Sequence, residues 1–329
     1  MPVRARAWSR SLNATALALI FVAAIAHASW NLFSKQASTA GAACFIWLMS
    51  SVATVAYLPV VIVSVIASPA RLTALAWVFM AGSGLLQAGY FLFLQTGYKL
   101  GDLSLVYPIG RGTGALLAAL AGIILLGEHP GPAGVAGILF IVAGLIILGI
   151  PTAARPTEAA TRGARAAAGR AVAGTSKAAT GEPAPSKPGT TKAVMFALVT
   201  GAFIATYTLW DKYAVSTLKV PPLVQGYASL PGMALVLTPF ALRDRARTAR
   251  VWAAYRRQVL GAAVLAPLAY ILVLTALSFT AVSAVAPARE VSVLIGVLLG
   301  RRLLGESGLA RRLGAAAAIA AGIVCIAVG

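Results

Sequence analysis

Acidic residues are scarce in this chain: Asp and Glu number 8 among 329 residues, against 27 Lys and Arg. Charged residues of both signs make up only 11%, whereas a soluble domain carries about 25% to keep its surface in water. That shortage excludes an ordinary soluble domain. Cysteine is nearly missing too, and Cys44 and Cys325 each stand alone in an apolar block, which excludes a disulfide framework. With only 2 His there is no Cys/His spacing for a metal. Walker loops, dinucleotide fingerprints and Ser/His/Asp arrangements are likewise lacking. The chain is therefore read as a non-enzyme without cofactor or metal.

What is abundant is apolar sequence, 60% of the chain. It falls into ten runs, approximately 12–34, 40–66, 73–97, 103–126, 132–150, 193–213, 222–242, 258–279, 282–300 and 311–328. Each is near the ~20 residues that a helix needs to cross a bilayer core. Their lack of alternation excludes a membrane β-barrel, and in lipid only helices or closed barrels satisfy the backbone. The expectation is an all-α, multi-pass protein of the plasma membrane with ten transmembrane helices. Residues 151–192 break the pattern, being rich in Pro, Ala, Gly, Thr and Ser with seven interspersed Arg and Lys. They read as a flexible basic linker that divides the chain into 1–150 and 193–329, five spans each. Arg4, Arg6 and Arg10 ahead of an apolar stretch ending Ala26-His27-Ala28 have the outline of a cleavable signal. An internal repeat continues through that point, so the stretch is read as a retained first span.

That repeat matches residue to residue. His27-Ala28-Ser29-Trp30-Asn31 falls on Tyr207-Thr208-Leu209-Trp210-Asp211, Tyr90 on Tyr270, Arg111 on Arg289, and Pro108 near Pro287. Leu125-Leu126-Gly127-Glu128 returns as Leu303-Leu304-Gly305-Glu306. An odd number of spans per half forces the second half to enter the membrane in the opposite sense. Inverted repeats of this kind recur in secondary transporters, with the solute site near the midplane.

Polar groups inside spans are costly and ask for a reason. His27, Trp30 and Asn31 share one helical face of the first span, Tyr207, Trp210 and Asp211 the same face of the sixth. Tyr107 and Arg111 sit four apart in the fourth span, behind a helix break expected at Pro108; Arg289 and Glu290 hold the matching place on the ninth. At 1.5 Å per residue, these groups sort into two polar layers, His27 with Arg111 in one, and Tyr207, Asp211, Arg289 and Glu290 in the other. Arg111 either binds a carboxylate through its planar fork or pairs with another helix. Arg289 with Glu290 reads as a self-compensated pair or a binding group. His27 either carries a proton or bridges helices, and Gln87, Tyr90 and Tyr270 either line a cavity or bridge spans. Glu128 and Glu306 are expected to stabilise the N-terminus of the helix that follows each. Gly110, Gly112, Gly114, Gly296 and Gly300 allow close helix packing, within the chain or across a homodimer.

These segments together, His27 to Asn31 with Lys35, Tyr107 to Gly112, Trp210-Asp211-Lys212, Arg289 to Ser292, and the two Leu-Leu-Gly-Glu strings, resemble the EamA family of the drug/metabolite transporter superfamily. The resemblance implies ten helices in two inverted repeats around a central cavity. It also implies solute movement, most often export of amino acids or other small metabolites, coupled to an ion gradient such as that of protons. The basic linker departs from the family pattern.

The net charge of +19 would suit a nucleic-acid partner, but sorting the basic residues by membrane face gives another account. Six fall on the N-terminal face, nineteen on the other, and Arg111 and Arg289 lie within spans. The positive-inside rule then places the nineteen in the cytoplasm and both termini outside, whereas the resemblance implies cytoplasmic termini. No nucleic acid is expected as partner. The function read from these residues is secondary transport of a small polar metabolite, an amino acid or related solute. A flippase for amphiphiles and a non-transporting scaffold that recruits partners or anionic lipid are the rivals.

Overall fold

The computed structural model describes residues 13–67, 72–100, 103–149, 190–292, 295 and 309–328. The linker, the N-terminal arginines, Leu303 to Glu306, Gly296 and Gly300 lie outside the described residues, as do the side chains of Lys35 and Tyr107. The described residues are helical with no strand: α1 (Ala14–Ala67), α2 (Ala74–Leu100), α3 (Leu103–Leu126), α4 (Pro132–Gly149), α5 (Thr190–Ser216), α6 (Pro222–Arg243), α7 (Arg245–Phe279), α8 (Val282–Ala288) and α9 (Leu309–Val328).

Among the described residues, seven segments are long and apolar enough to cross a membrane: Ala14–Ser34, Ala43–Ala67, Ala74–Leu94, Ile109–Leu126, Thr191–Ser216, Pro222–Arg243 and Arg245–Phe279. Pro132–Ile147 and Ala317–Ile326 are apolar but shorter. Many large apolar side chains face outward along these helices, among them Val55, Ile66, Ile124, Leu125 and Leu235. In water that exposure would be an aggregation hazard; in lipid it is the expected solvent-facing surface. The chain is a multi-pass membrane protein.

Several boundaries differ from the expectation. The first two runs, expected as separate spans, are two helical parts of α1 that meet at Gly41, whose non-helical backbone with φ of 139° is open to glycine and strained for other residues. α7 begins 13 residues before the expected 258, and its non-helical backbone at Tyr255 separates an Arg-rich first part from the apolar remainder. The break expected at Pro108 does not occur, for α3 runs through it. A proline inside a membrane helix removes one backbone bond, a loss that neighbouring helices can absorb without ending the helix.

The two halves of the chain interleave. α1 packs on α7 and α6, α2 and α3 both pack on α5, and α4 packs on α9. The α4–α9 crossing rests on glycines: a Cβ on Gly137 would lie 2.5 Å from the Gly322 carbonyl oxygen, and one on Gly322 2.6 Å from that of Gly137. Close backbone approach of this kind is the usual way for helices to associate in lipid, where apolar burial supplies no driving force. Gly137→Ala is expected to force the helices apart and to cost about 1–3 kcal/mol, seen as a lower unfolding temperature in detergent; an unchanged transition would refute the crossing.

Candidate functional site

The central polar cluster is assembled by a helix that stops. The ninth apolar run is expected to be one continuous helix, but α8 ends at Ala288 after seven residues and the chain turns through Arg289 and Glu290 before Val291 and Ser292 resume helical geometry. The turn follows Pro287, which lies inside α8 and has no N–H to give to the helix. The backbone tightens to three-residue bonds, with Glu290 N donating to Pro287 O at 2.9 Å and Ser292 N to Arg289 O at 3.2 Å.

The break brings Glu290 between two arginines. Arg111 Nε, from α3, donates to Glu290 Oε2 at 2.8 Å, and Arg289 Nε donates to Glu290 Oε1 at 3.2 Å. All three are buried, Glu290 completely. The self-compensated Arg289–Glu290 pair is therefore a triad spanning both halves. The two separate polar layers expected from helix depths are corrected as well: His27, Arg111, Tyr207, Tyr270 and Arg289 line one cavity of about 50 Å³, with Ala23, Ala24, Ala269, Val273 and Ser292. Depth arithmetic follows Cα positions; a long guanidinium reaching inward closes the gap it leaves.

Aromatic rings wall the cavity. Tyr207 stands edge-on to Tyr90 and to Tyr270, at centroid distances of 5.9 and 6.2 Å, and Arg289 Cζ lies 5.9 Å from the Tyr207 centroid, within cation–π range. His27 Nδ1 accepts the Trp30 indole N–H at 3.2 Å, which leaves the ring proton on Nε2. A second proton on Nδ1 would break that bond. Two donors on the cavity wall are unspent: Arg289 Nη2 and Ser292 Oγ are buried with no hydrogen-bond partner among the described residues.

Other expected site residues stand apart. Trp30 packs in the apolar cluster of α1, α6 and α7, and Asn31 Nδ2 is spent on the His27 carbonyl at 2.9 Å. Trp210 stacks on Phe79 at 4.1 Å and donates to its carbonyl at 2.7 Å. Gln87 donates to Ser83 Oγ at 3.2 Å. Asp211, completely buried, forms a second polar cluster: it accepts from Gln225 Nε2 at 2.8 Å, from Ser83 Oγ at 3.1 Å and from the Tyr270 hydroxyl. Ser83, Gln225 and Ser292 were not anticipated; the amide of Gln225 inside an apolar run was the available signal. Lys212, assigned to a membrane face by the charge sorting, is instead 3% exposed, its ammonium donating to Leu277 O and Thr280 O at the end of α7.

Glu128 also differs from expectation. It does not serve the helix that follows it; its carboxylate accepts from Val282 N at 2.7 Å and Ser283 N at 2.8 Å, the first turn of α8 in the other half. Gly127, at φ 65°, turns the chain back, and Gly122 leaves the carboxylate room, since a Cβ there would lie 2.5 Å from Glu128 Oε2. This explains the Leu-Leu-Gly-Glu string: it ties one half to the helix that presents Arg289 and Glu290. Glu128→Ala strands two buried N–H groups and is expected to cost on the order of 2–3 kcal/mol, measured as a loss of thermal stability that Glu128→Gln, with one acceptor left, partly restores.

A family comparison decides what this architecture is. The EamA-like transporter family matches residues 14–150 and again residues 191–328. The chain belongs to the EamA-like transporter family. Among characterised relatives, the multidrug resistance protein EbrB of Bacillus subtilis (strain 168) is 38% identical over 58 residues, 18% of this chain and 50% of that protein. An uncharacterized transporter in the cobO 3' region of Sinorhizobium sp. is 30% identical over 82 residues, 25% of this chain and 57% of that protein. The chain thus spans about half the length of the curated relatives it matches. A solved crystal structure is similar over 95% of this chain and 96% of its own, with TM-score 0.64 and 18% identity; that likeness concerns the fold alone.

Proposed function

We propose that this EamA-like chain is a secondary transporter of a small polar metabolite bearing a carboxylate, such as an amino acid, working by alternating access in the plasma membrane. The observation that carries the reading is the pair of unspent donors, Arg289 Nη2 and Ser292 Oγ, buried on the wall of a cavity that also holds Arg111. An arginine fork matches a carboxylate, and a buried donor without an acceptor is costly enough to favour one.

The two family matches, 14–150 and 191–328, support two repeats, and the interleaved packing of α4 with α9 and of α1 and α2 with the second half is what a two-fold related pair would make. In this reading the repeats are inverted, each has five spans, the short apolar helices α4 and α9 cross the membrane with the rest, and the linker is a separate basic segment. A cavity of about 50 Å³ admits a few waters but not an amino acid. Solute entry therefore requires the halves to part, which makes the present arrangement a closed one. The family resemblance favours export, while the geometry serves either direction.

A second reading has its own observation: an apolar pocket of about 370 Å³ lined by Leu17, Ile20, Phe21, Ala288, Val291 and Ile323 suits an acyl chain, as a flippase would need. One experiment separates these readings from each other and from a scaffold. A panel of radiolabelled amino acids and fluorescent lipids is offered to proteoliposomes with and without a pH gradient. Saturable amino-acid movement supports the carrier, lipid movement supports the flippase, and movement of neither leaves the scaffold.

A further inference from the structure

Among the described residues three buried carboxylates are held in three different ways. Glu290 has two guanidiniums, and Glu128 has two backbone N–H groups at a helix start. Asp211 has only neutral donors: the Gln225 amide, the Ser83 hydroxyl and the Tyr270 hydroxyl. Its exposure is 0%. Burying a carboxylate without a positive partner is the least favourable of the three arrangements. The charged groups of neighbouring elements are committed elsewhere: Arg111 of α3 and Arg289 beyond α8 bind Glu290, and Lys212, next in sequence, binds the last carbonyls of α7. Among the described residues of α2 and α6 the polar groups here are Ser83, Gln87 and Gln225, and the titratable groups that remain are the phenols of Tyr270, Tyr207 and Tyr90 and, across the cavity, the imidazole of His27.

A second observation completes the site. Gln225 is itself 0% exposed, and its Oε1 has no hydrogen-bond donor. A proton on Asp211 would turn an acceptor-only group into an O–H donor, and rotation of the Gln225 amide would then pair that donor with Oε1. The Nε2 donor leaves Asp211 Oδ1 in that rotation, so the carboxyl and the amide exchange the roles of donor and acceptor.

We propose that Asp211, with Gln225, Ser83 and Tyr270, is a proton-binding site linked to the solute cavity through Tyr270. Tyr270 belongs to both places, lining the cavity while its hydroxyl donates to Asp211. That single O–H cannot serve Asp211 and a solute carboxylate together. A solute that draws it into the cavity leaves Asp211 one donor short, and a proton from the cavity water makes up the deficit: the Asp211 carboxylate becomes a carboxylic acid as hydronium becomes water. Proton and solute then favour each other, and by linkage the effect is reciprocal. They move in the same direction, so an inward proton gradient drives uptake in this protein, opposite to the export that the family resemblance favours. Coupling to solute rests on the transport reading above; the proton site itself does not.

The site is tested on the full-length protein in lipid nanodiscs by pH-difference infrared spectroscopy, with the proton as probe. A carboxylic acid C=O band is expected to titrate in the wild type and to vanish in Asp211→Asn, and its midpoint to be displaced in Tyr270→Phe. A band indifferent to Asp211→Asn overturns the site, and an unmoved midpoint in Tyr270→Phe overturns the link. In proteoliposomes with radiolabelled amino acids, the ratio of accumulation with a pH gradient to accumulation without one is expected to fall to about 1 in Asp211→Asn. Retained accumulation overturns the coupling. Should no variant move any solute while the infrared band titrates, the transport reading fails and the proton site stands.

Discussion

Glu290→Ala is expected to lose most of its correctly folded, membrane-inserted protein. The substitution leaves Arg111 and Arg289 buried, 5% and 7% exposed, without the carboxylate between them. Breaking a buried ion pair by removing one partner costs about 3–5 kcal/mol, a large part of the roughly 5–15 kcal/mol by which a typical domain is stable. The loss is greater here than at Glu128, because two guanidiniums cannot shed their charge, whereas stranded backbone N–H groups carry none. Fluorescence-detected size-exclusion chromatography of the tagged protein reads the folded fraction. Removing one of the two positive charges as well, in the Glu290→Gln Arg111→Gln double variant, should recover part of the folded protein, since residues in one network couple strongly. A Glu290→Ala protein as abundant and monodisperse as wild type would sink the triad as a structural element.

Arg111→Ala is the second large effect, and its signature is the reverse: a folded protein that does not transport. Glu290 keeps Arg289 as its partner, at 3.2 Å, so no buried carboxylate is abandoned. What is lost is one guanidinium of the cavity wall. A charge-assisted hydrogen bond contributes about 1.5–3 kcal/mol, so transport of a carboxylate solute should fall at least tenfold and up to roughly a hundredfold. Arg111→Lys should restore the charge but little of the rate, because an ammonium has no planar fork. Exchange measured in proteoliposomes at matched protein content checks both. Wild-type exchange by Arg111→Ala would assign that residue to structure alone.

The contrast between these two variants shows where sequence reasoning reached and where it stopped. Arg111, Arg289 and Glu290 were legible as intramembrane ionisable groups, because lipid makes each of them expensive wherever it sits. Their pairing was not legible. It depends on α8 ending at Ala288, and the two prolines do not tell where a helix ends: α8 stops one residue after Pro287, while α3 runs on past Pro108 to Leu126. Glu128 is a similar case. Its place after Leu125-Leu126-Gly127 marked a helix end, but the N–H groups it accepts from are about 155 residues away in sequence, beyond any local rule. Trp210 matched Trp30 in the repeat, yet one stacks on Phe79 and the other donates to His27, since equivalent positions meet different neighbours.

By itself the sequence determined that this protein is helical and crosses a membrane several times, and which family it joins. Hydropathy, length and duplicated spacing are local or periodic properties, and lipid enforces them on every span alike. Only the tertiary structure decided that Glu290 bridges two arginines, that His27, Tyr207, Tyr270 and Arg289 line one cavity, and that Asp211 is enclosed by neutral donors. Those outcomes depend on which helices cross and how closely, and contacts between segments far apart in the chain set the charge balance around each buried group.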